Sequence, residues 1–145
     1  MKKIIMVVCL LTQFIFSGEN DSTGVIVLDI KNFENNTGKV RISLFKTEDG
    51  FPGDYKKAFT FTTQDIINKS ALVVLDSIPY GECAIGILHD KNMDNELNTN
   101  WLGMPKEGVA ASNNATGTFG PPDFEDAKID LKSDTLFQNI EIRNY

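Results

Sequence analysis

Beyond its first residues the chain never sustains an apolar stripe at helical spacing. Its apolar residues recur at every second position in short runs, and Gly, Asn, Asp and Pro separate the runs. Val40, Ile42 and Leu44 alternate with Arg41 and Ser43, the period of a strand that buries one face. The same reading places strands at Val25 to Ile30, Ala71 to Leu75, Cys83 to Leu88, Ala127 to Leu131 and Leu136 to Ile142. The Val40 run extends from Lys39 to Lys46, and Ala58 to Thr62 is read as a short edge strand. The Cys83 run carries apolar residues on both faces with small Ala84 and Gly86, so it is expected to be a central strand covered on both sides. About seven short strands with turns between them make an all-β sandwich. A helical turn is expected near Asp54 to Ala58 or Thr63 to Ile67.

The N-terminus has a different pattern. Lys2 and Lys3 precede an apolar stretch from Ile4 to Phe16, and small Ser17 and Gly18 follow it. This is the layout of a cleavable export signal, and the stretch is shorter than the roughly 20 residues of a membrane span. The expected organisation is a signal peptide over residues 1–18 and one domain over residues 19–145, with no span left after cleavage. Location would then be periplasmic, extracellular or at the cell surface. Cys9 would leave with the signal, so Cys83 would stand alone and no internal disulfide would form. Its apolar neighbours predict a buried thiol. The formal net charge is −6, and loss of Lys2 and Lys3 would deepen it. An acidic chain without a basic cluster argues against nucleic acid as a partner and leaves an unidentified protein or glycan.

The residues that carry chemistry lie after the central strand. Asp90, Asn92, Asp94 and Asn98 occupy relative positions 1, 3, 5 and 9, the oxygen-donor spacing of an EF-hand-type calcium loop. Glu96 at position 7 would offer its backbone carbonyl, and Leu97 at position 8 would pack inward. Asn95 stands at position 6, where the chain must turn with positive φ; Asn tolerates that conformation best after Gly. Position 12, which normally supplies a bidentate carboxylate, is Trp101. With two carboxylates the expected calcium affinity is weak, roughly 10⁻⁴–10⁻³ M. The competing reading is a polar loop whose Asp and Asn side chains bond their own backbone.

Asp90 to about Phe124 is a long connection for a compact domain, and such a connection is commonly functional or tied down. Aromatic residues in the long loops, Phe51, Tyr55, Trp101 and Phe119, are expected to clamp those loops onto the sandwich. Asn100, Trp101, Glu107 and His89 are the candidates for contacting a ligand. His89 is the only histidine. It reads as a strand-end residue bonded to a loop carbonyl; the alternative is a hydrolase using His89 with nearby carboxylates. The preferred function is a non-enzymatic binding or structural module in which the calcium loop orders the long loop beside it. A carbohydrate- or peptide-binding domain is a further alternative.

Several motifs taken together carry a resemblance. They are Leu44-Phe45, Gly50-Phe51-Pro52, Lys57-Ala58-Phe59, Pro79-Tyr80-Gly81, Ala84-Ile85 and His89-Asp90-x-Asn92. Downstream come Leu97-x-x-Asn100, Gly103-x-Pro105-Lys106-Glu107-Gly108, Ser112-Asn113-Asn114-Ala115, Phe119-Gly120-Pro121-Pro122 and Phe124-Glu125-Asp126-Ala127. From about Val25 to Ile142 the chain resembles the bacterial family called domain of unknown function 2141. That resemblance implies an exported immunoglobulin-like or transthyretin-like sandwich and brings no established activity. Cys83 stands where the family typically has an aromatic residue, Asn95 where it has Gly, and Asn98 where it has Asp.

Overall fold

The computed structural model describes residues 22–145; the expected signal peptide lies outside them. Eight strands build two sheets: β1 (Thr23–Lys31), β2 (Lys39–Phe45), β3 (Thr60–Asp65), β4 (Ala71–Pro79), β5 (Gly81–Asp90), β6 (Val109–Ala111), β7 (Ile129–Leu131) and β8 (Thr135–Glu141). One sheet has the order β4-β1-β8, with β1 antiparallel to β4 and parallel to β8. The other has the order β3-β2-β5-β6, and β7 pairs with the start of β5. The all-β sandwich expected from the alternation is the observed architecture.

The two inner faces meet in one core. Ile26, Leu28 and Ile30 of β1, Val73 and Leu75 of β4, and Ile140 of β8 face Val40, Ile42 and Leu44 of β2 and Ile85 and Ile87 of β5. The alternation read at Val40, Ile42 and Leu44 therefore points inward. Cys83 belongs to this core, and burial pushes its thiol up to about 11. Labelling of the folded protein with a thiol reagent at neutral pH is accordingly expected to be slow and to accelerate on denaturation; fast labelling without denaturant would contradict the burial.

β5 is the central strand, buried on both faces from Cys83 to Asp90. Its small residues explain the second covering. Ala84, Ala111 and Ala127 form a separate cluster on the outer side, against which Phe51, Ala115 and Phe124 pack. Phe51 meets Phe45 and Phe124 edge-on, with ring centroids 5.5 and 5.7 Å apart. Gly86 lies under the 50–54 loop so closely that a Cβ there would overlap the Pro52 carbonyl. Space at these positions admits a loop where a bulky residue would expel it.

The helical turn expected near Asp54 to Ala58 is a 3-10 turn at Tyr55–Lys57, whereas Thr63 to Ile67 continues from β3 into a bridge with Ser70. The 90–124 connection is less irregular than its composition implied. It contains β6 and a 3-10 turn at Ser112–Asn114, and it ends at a helical turn over Phe124–Ala127. β6 escapes notice in the sequence because it spans three residues of a small-residue stretch, too few for a period to register. Among the described residues no helix is long and apolar enough to cross a membrane.

Candidate functional site

The connection after β5 is an elaborated hairpin. It leaves the sheet at Asp90, curls through residues 91–97 and doubles back: Lys106 N–H donates to Asn98 O and Asn100 N–H to Met104 O. It then rejoins the ladder, where His89 N–H donates to Gly108 O. Two buried carboxylates hold it. Asp90 accepts the backbone N–H groups of Asp94 at 3.2 Å and Asn95 at 2.8 Å. Glu107 accepts those of Lys91 at 2.9 Å and Asn98 at 3.1 Å. Asp90 and Glu107 are each 3% exposed. Their four acceptor bonds satisfy backbone donors that an irregular loop otherwise leaves without partners. Asn95 has φ +64, as its place in the loop requires, and Met93 shares the left-handed conformation at φ +61.

Above this clamp the side chains of Asn92, Asp94 and Asn98 close on one another. The Asn92 amide donates to Asp94 Oδ2 at 2.8 Å and to Asn98 Oδ1 at 2.7 Å, and the Asn98 amide donates to Asp94 Oδ2 at 3.0 Å. Asn98, the Glu96 backbone N–H and Asn92 together hold the Asp94 carboxyl below the usual carboxylate range. Positions 3, 5 and 9 thus converge as their spacing requires. Position 1 lies beneath them, its carboxylate turned to the backbone. Among the described residues no three His, Cys, Asp or Glu side chains gather tightly enough to hold a metal ion; the convergent group has one carboxylate and two amides. The side chain of Glu96 is exposed, and its backbone N–H donates to Asp94 Oδ1.

The remaining candidates are dispersed. Asn100 Oδ1 accepts from Leu102 and Met104 N–H and so closes the tip of the hairpin. Trp101 is 90% exposed and Phe119 fully exposed, so neither clamps its loop as expected. Asx bonds and the two carboxylates hold the hairpin that carries Trp101. Phe51 and Tyr55 do pack, the latter edge-on to Phe61 and beneath Arg41. Leu97, expected to turn inward, is 40% exposed along a cleft. His89 points into the core, edge-on to Phe33, and Nε2 donates to Thr37 O at 2.8 Å while Nδ1 has no partner. Successive strand residues face opposite ways, so His89 and Asp90 lie on opposite sides of β5.

Arg41 was the residue missed. Its place on the polar face of β2 reads as solvent-facing, yet it is buried, because the 50–54 and 90–98 loops cover that face. Its guanidinium donates to the carbonyls of Asn95 and Gly53 and stacks 4.6 Å from the Tyr55 ring centroid. Burial pushes its pKa below the ordinary value, and Asp90, Tyr55, Asp94 and Glu107 oppose that shift. The signal available in the sequence was β5: a central strand apolar on both faces requires its neighbour's outer face to be covered too. Beside Arg41 opens a cleft of about 820 Å³. Ser43, Gly86 and Leu88 form its floor. The 50–54 loop, the tip of the hairpin at Gly103–Pro105 and the 115–122 segment form its walls.

The model for the family described as "uncharacterized protein conserved in bacteria", domain of unknown function 2141, matches residues 28–138, which cover the whole elaborated hairpin and both sheets except the start of β1 and the end of β8. The chain belongs to this family. A search of curated proteins found no match, and neither did a search of solved structures. The motifs by which the chain resembled the domain of unknown function 2141 family have structural roles in this fold. Ser112 Oγ accepts from Ile85 N–H and donates to Ala127 O, tying β5 to the turn before β7. The Asn114 side chain donates to Asn139 O and accepts from Glu141 N–H, which supplies the edge of β8 with a substitute strand partner.

Proposed function

We propose that this family member is an exported, non-enzymatic binding or structural module in which the 90–98 loop takes up calcium weakly and orders the long segment beside it. The observation that carries the reading is the closure of Asn92, Asp94 and Asn98 on one another above the Asp90–Glu107 clamp. Rotating an Asn amide by half a turn exchanges its oxygen and nitrogen at almost no change in shape. Two such rotations would present two amide oxygens to the point already held by the Asp94 carboxylate, a hard donor set that suits calcium. Asp90 and Glu107 already satisfy the backbone, so the ion would add to an ordered loop.

The placement of His89 in the core, across β5 from Asp90, weighs against the hydrolase alternative, since a general base must reach its substrate. Export rests on the basic, apolar and small-residue pattern of residues 1–18. Exposed Trp101 favours a second reading, recognition of a glycan or peptide at the rim of the hairpin.

Calorimetric titration of the protein with calcium tests the metal. Heat and a rise in Tm are expected at millimolar calcium, with both lost in Asp94→Ala. Absence of heat and of any thermal shift at that concentration would sink the calcium site.

A further inference from the structure

The chain has two arginines, and both line the same cleft. They sit at the two ends of one row across the outer face of the five-stranded sheet. Arg41 pairs with Leu88, Leu88 with Val109, and Val109 with Arg143. Directly paired residues share a face, so the row reads cation, apolar, apolar, cation. The two cations differ. Arg41 is buried, donates to the Asn95 and Gly53 carbonyls, and has the charges of Asp90 and Glu107 acting on it. Arg143 is exposed, and among the described residues no carboxylate lies within ion-pair distance of it. Asp54 is the one acidic residue that lines the cleft. An acidic protein therefore carries a cleft with a guanidinium at each end of an apolar row, while the Asp54 carboxylate, in the 50–54 loop, accepts from the Lys56 N–H.

We propose that this cleft binds a small amphipathic monocarboxylate, with its head at Arg143 and its hydrocarbon body along Val109, Leu88 and Met104. A guanidinium fork matches a carboxylate with two parallel hydrogen bonds. The volume of about 820 Å³ suits such a molecule, since small-ligand sites span roughly 300–1,000 Å³ with mainly apolar walls and few polar groups. Arg41 contributes from the inner end. Two of its five N–H groups are directed to the Asn95 and Gly53 carbonyls, which ties the inner end of the bed to both covering loops. The inference rests on reading the chain as a binding module, and it is independent of calcium.

Calorimetric titration with octanoate, octanol and octyltrimethylammonium, each below its micellar concentration, tests it. Octanoate is expected to bind about tenfold more tightly than octanol, and the cation most weakly. Arg143→Met should abolish the preference for octanoate over octanol. That change spares the backbone pairing of Arg143 with Val109, so the fold should survive, as an unchanged melting curve would show. Val109→Trp, which fills the bed, should abolish binding of all three. Equal binding of octanoate and octanol, or an unchanged ratio in Arg143→Met, would overturn the assignment. No binding of any amphiphile alongside a positive calcium titration would overturn the cleft ligand and leave the metal loop standing. The converse result would remove the metal and leave the cleft.

Discussion

Asp90→Ala is expected to lower stability by about 3 kcal/mol, the range for removing a buried charged acceptor together with the compensation it provides. Three consequences combine. The N–H groups of Asp94 and Asn95 lose the acceptor that holds the first curl of the hairpin. Buried Arg41 loses the nearby charge that most offsets its desolvation. A void remains at a position 3% exposed. Denaturant unfolding measures the loss. Asp90→Asn should recover part of it, because an amide oxygen still accepts from the loop while the charge is gone. The amide resonances of Asp94 and Asn95 should lose their protection from exchange in Asp90→Ala while those of β1 and β4 keep theirs. A loss below about 0.5 kcal/mol, the usual range for a surface change, would mean that the hairpin holds its shape without the clamp.

Gly86→Ala should act at the floor of the cleft. A methyl group at Gly86 overlaps the Pro52 carbonyl, so the 50–54 loop must lift from the sheet. Overpacking of this kind costs about 1–3 kcal/mol. The loop also carries the Gly53 carbonyl bonded by Arg41 and the Phe51 ring held between Phe45 and Phe124. Gly86→Ala should therefore reduce octanoate binding as well as stability, whereas Asn139→Ala on the far sheet should leave that binding unchanged. A crystal structure of Gly86→Ala with the 50–54 loop in place would refute the close approach.

The contrast between these two sites explains what was legible. A two-residue period survives any tertiary context, because strand side chains alternate by backbone geometry alone. The strands over Val25–Ile30, Lys39–Lys46 and Cys83–Leu88, the two-sided burial of the last, and the all-β class were readable for that reason. The convergence of Asn92, Asp94 and Asn98 was readable too, since local curl decides which side chains meet, whereas Asp90 turns its carboxylate to the backbone instead. Trp101 and Phe119 could not be placed, because apolar character alone does not say whether a side chain finds a surface to cover. Glu107 stood only among the ligand candidates. Its role as the second half of a clamp depends on a chain reversal that brings residue 107 back to residues 91 and 98.

The loop at 90–98 shows the division most clearly. Sequence by itself determined its composition, its donor spacing and the need for a positive φ at Asn95, because these are properties of a few consecutive residues. Only the tertiary structure decided that Asp90 turns its carboxylate to the backbone, that Glu107 completes the hold, and that Arg41 lies buried beside them. Each of those depends on segments far apart in the chain meeting over the outer face of β5, where small Ala84 and Gly86 leave room for loops to settle and water is excluded from the charges they bring.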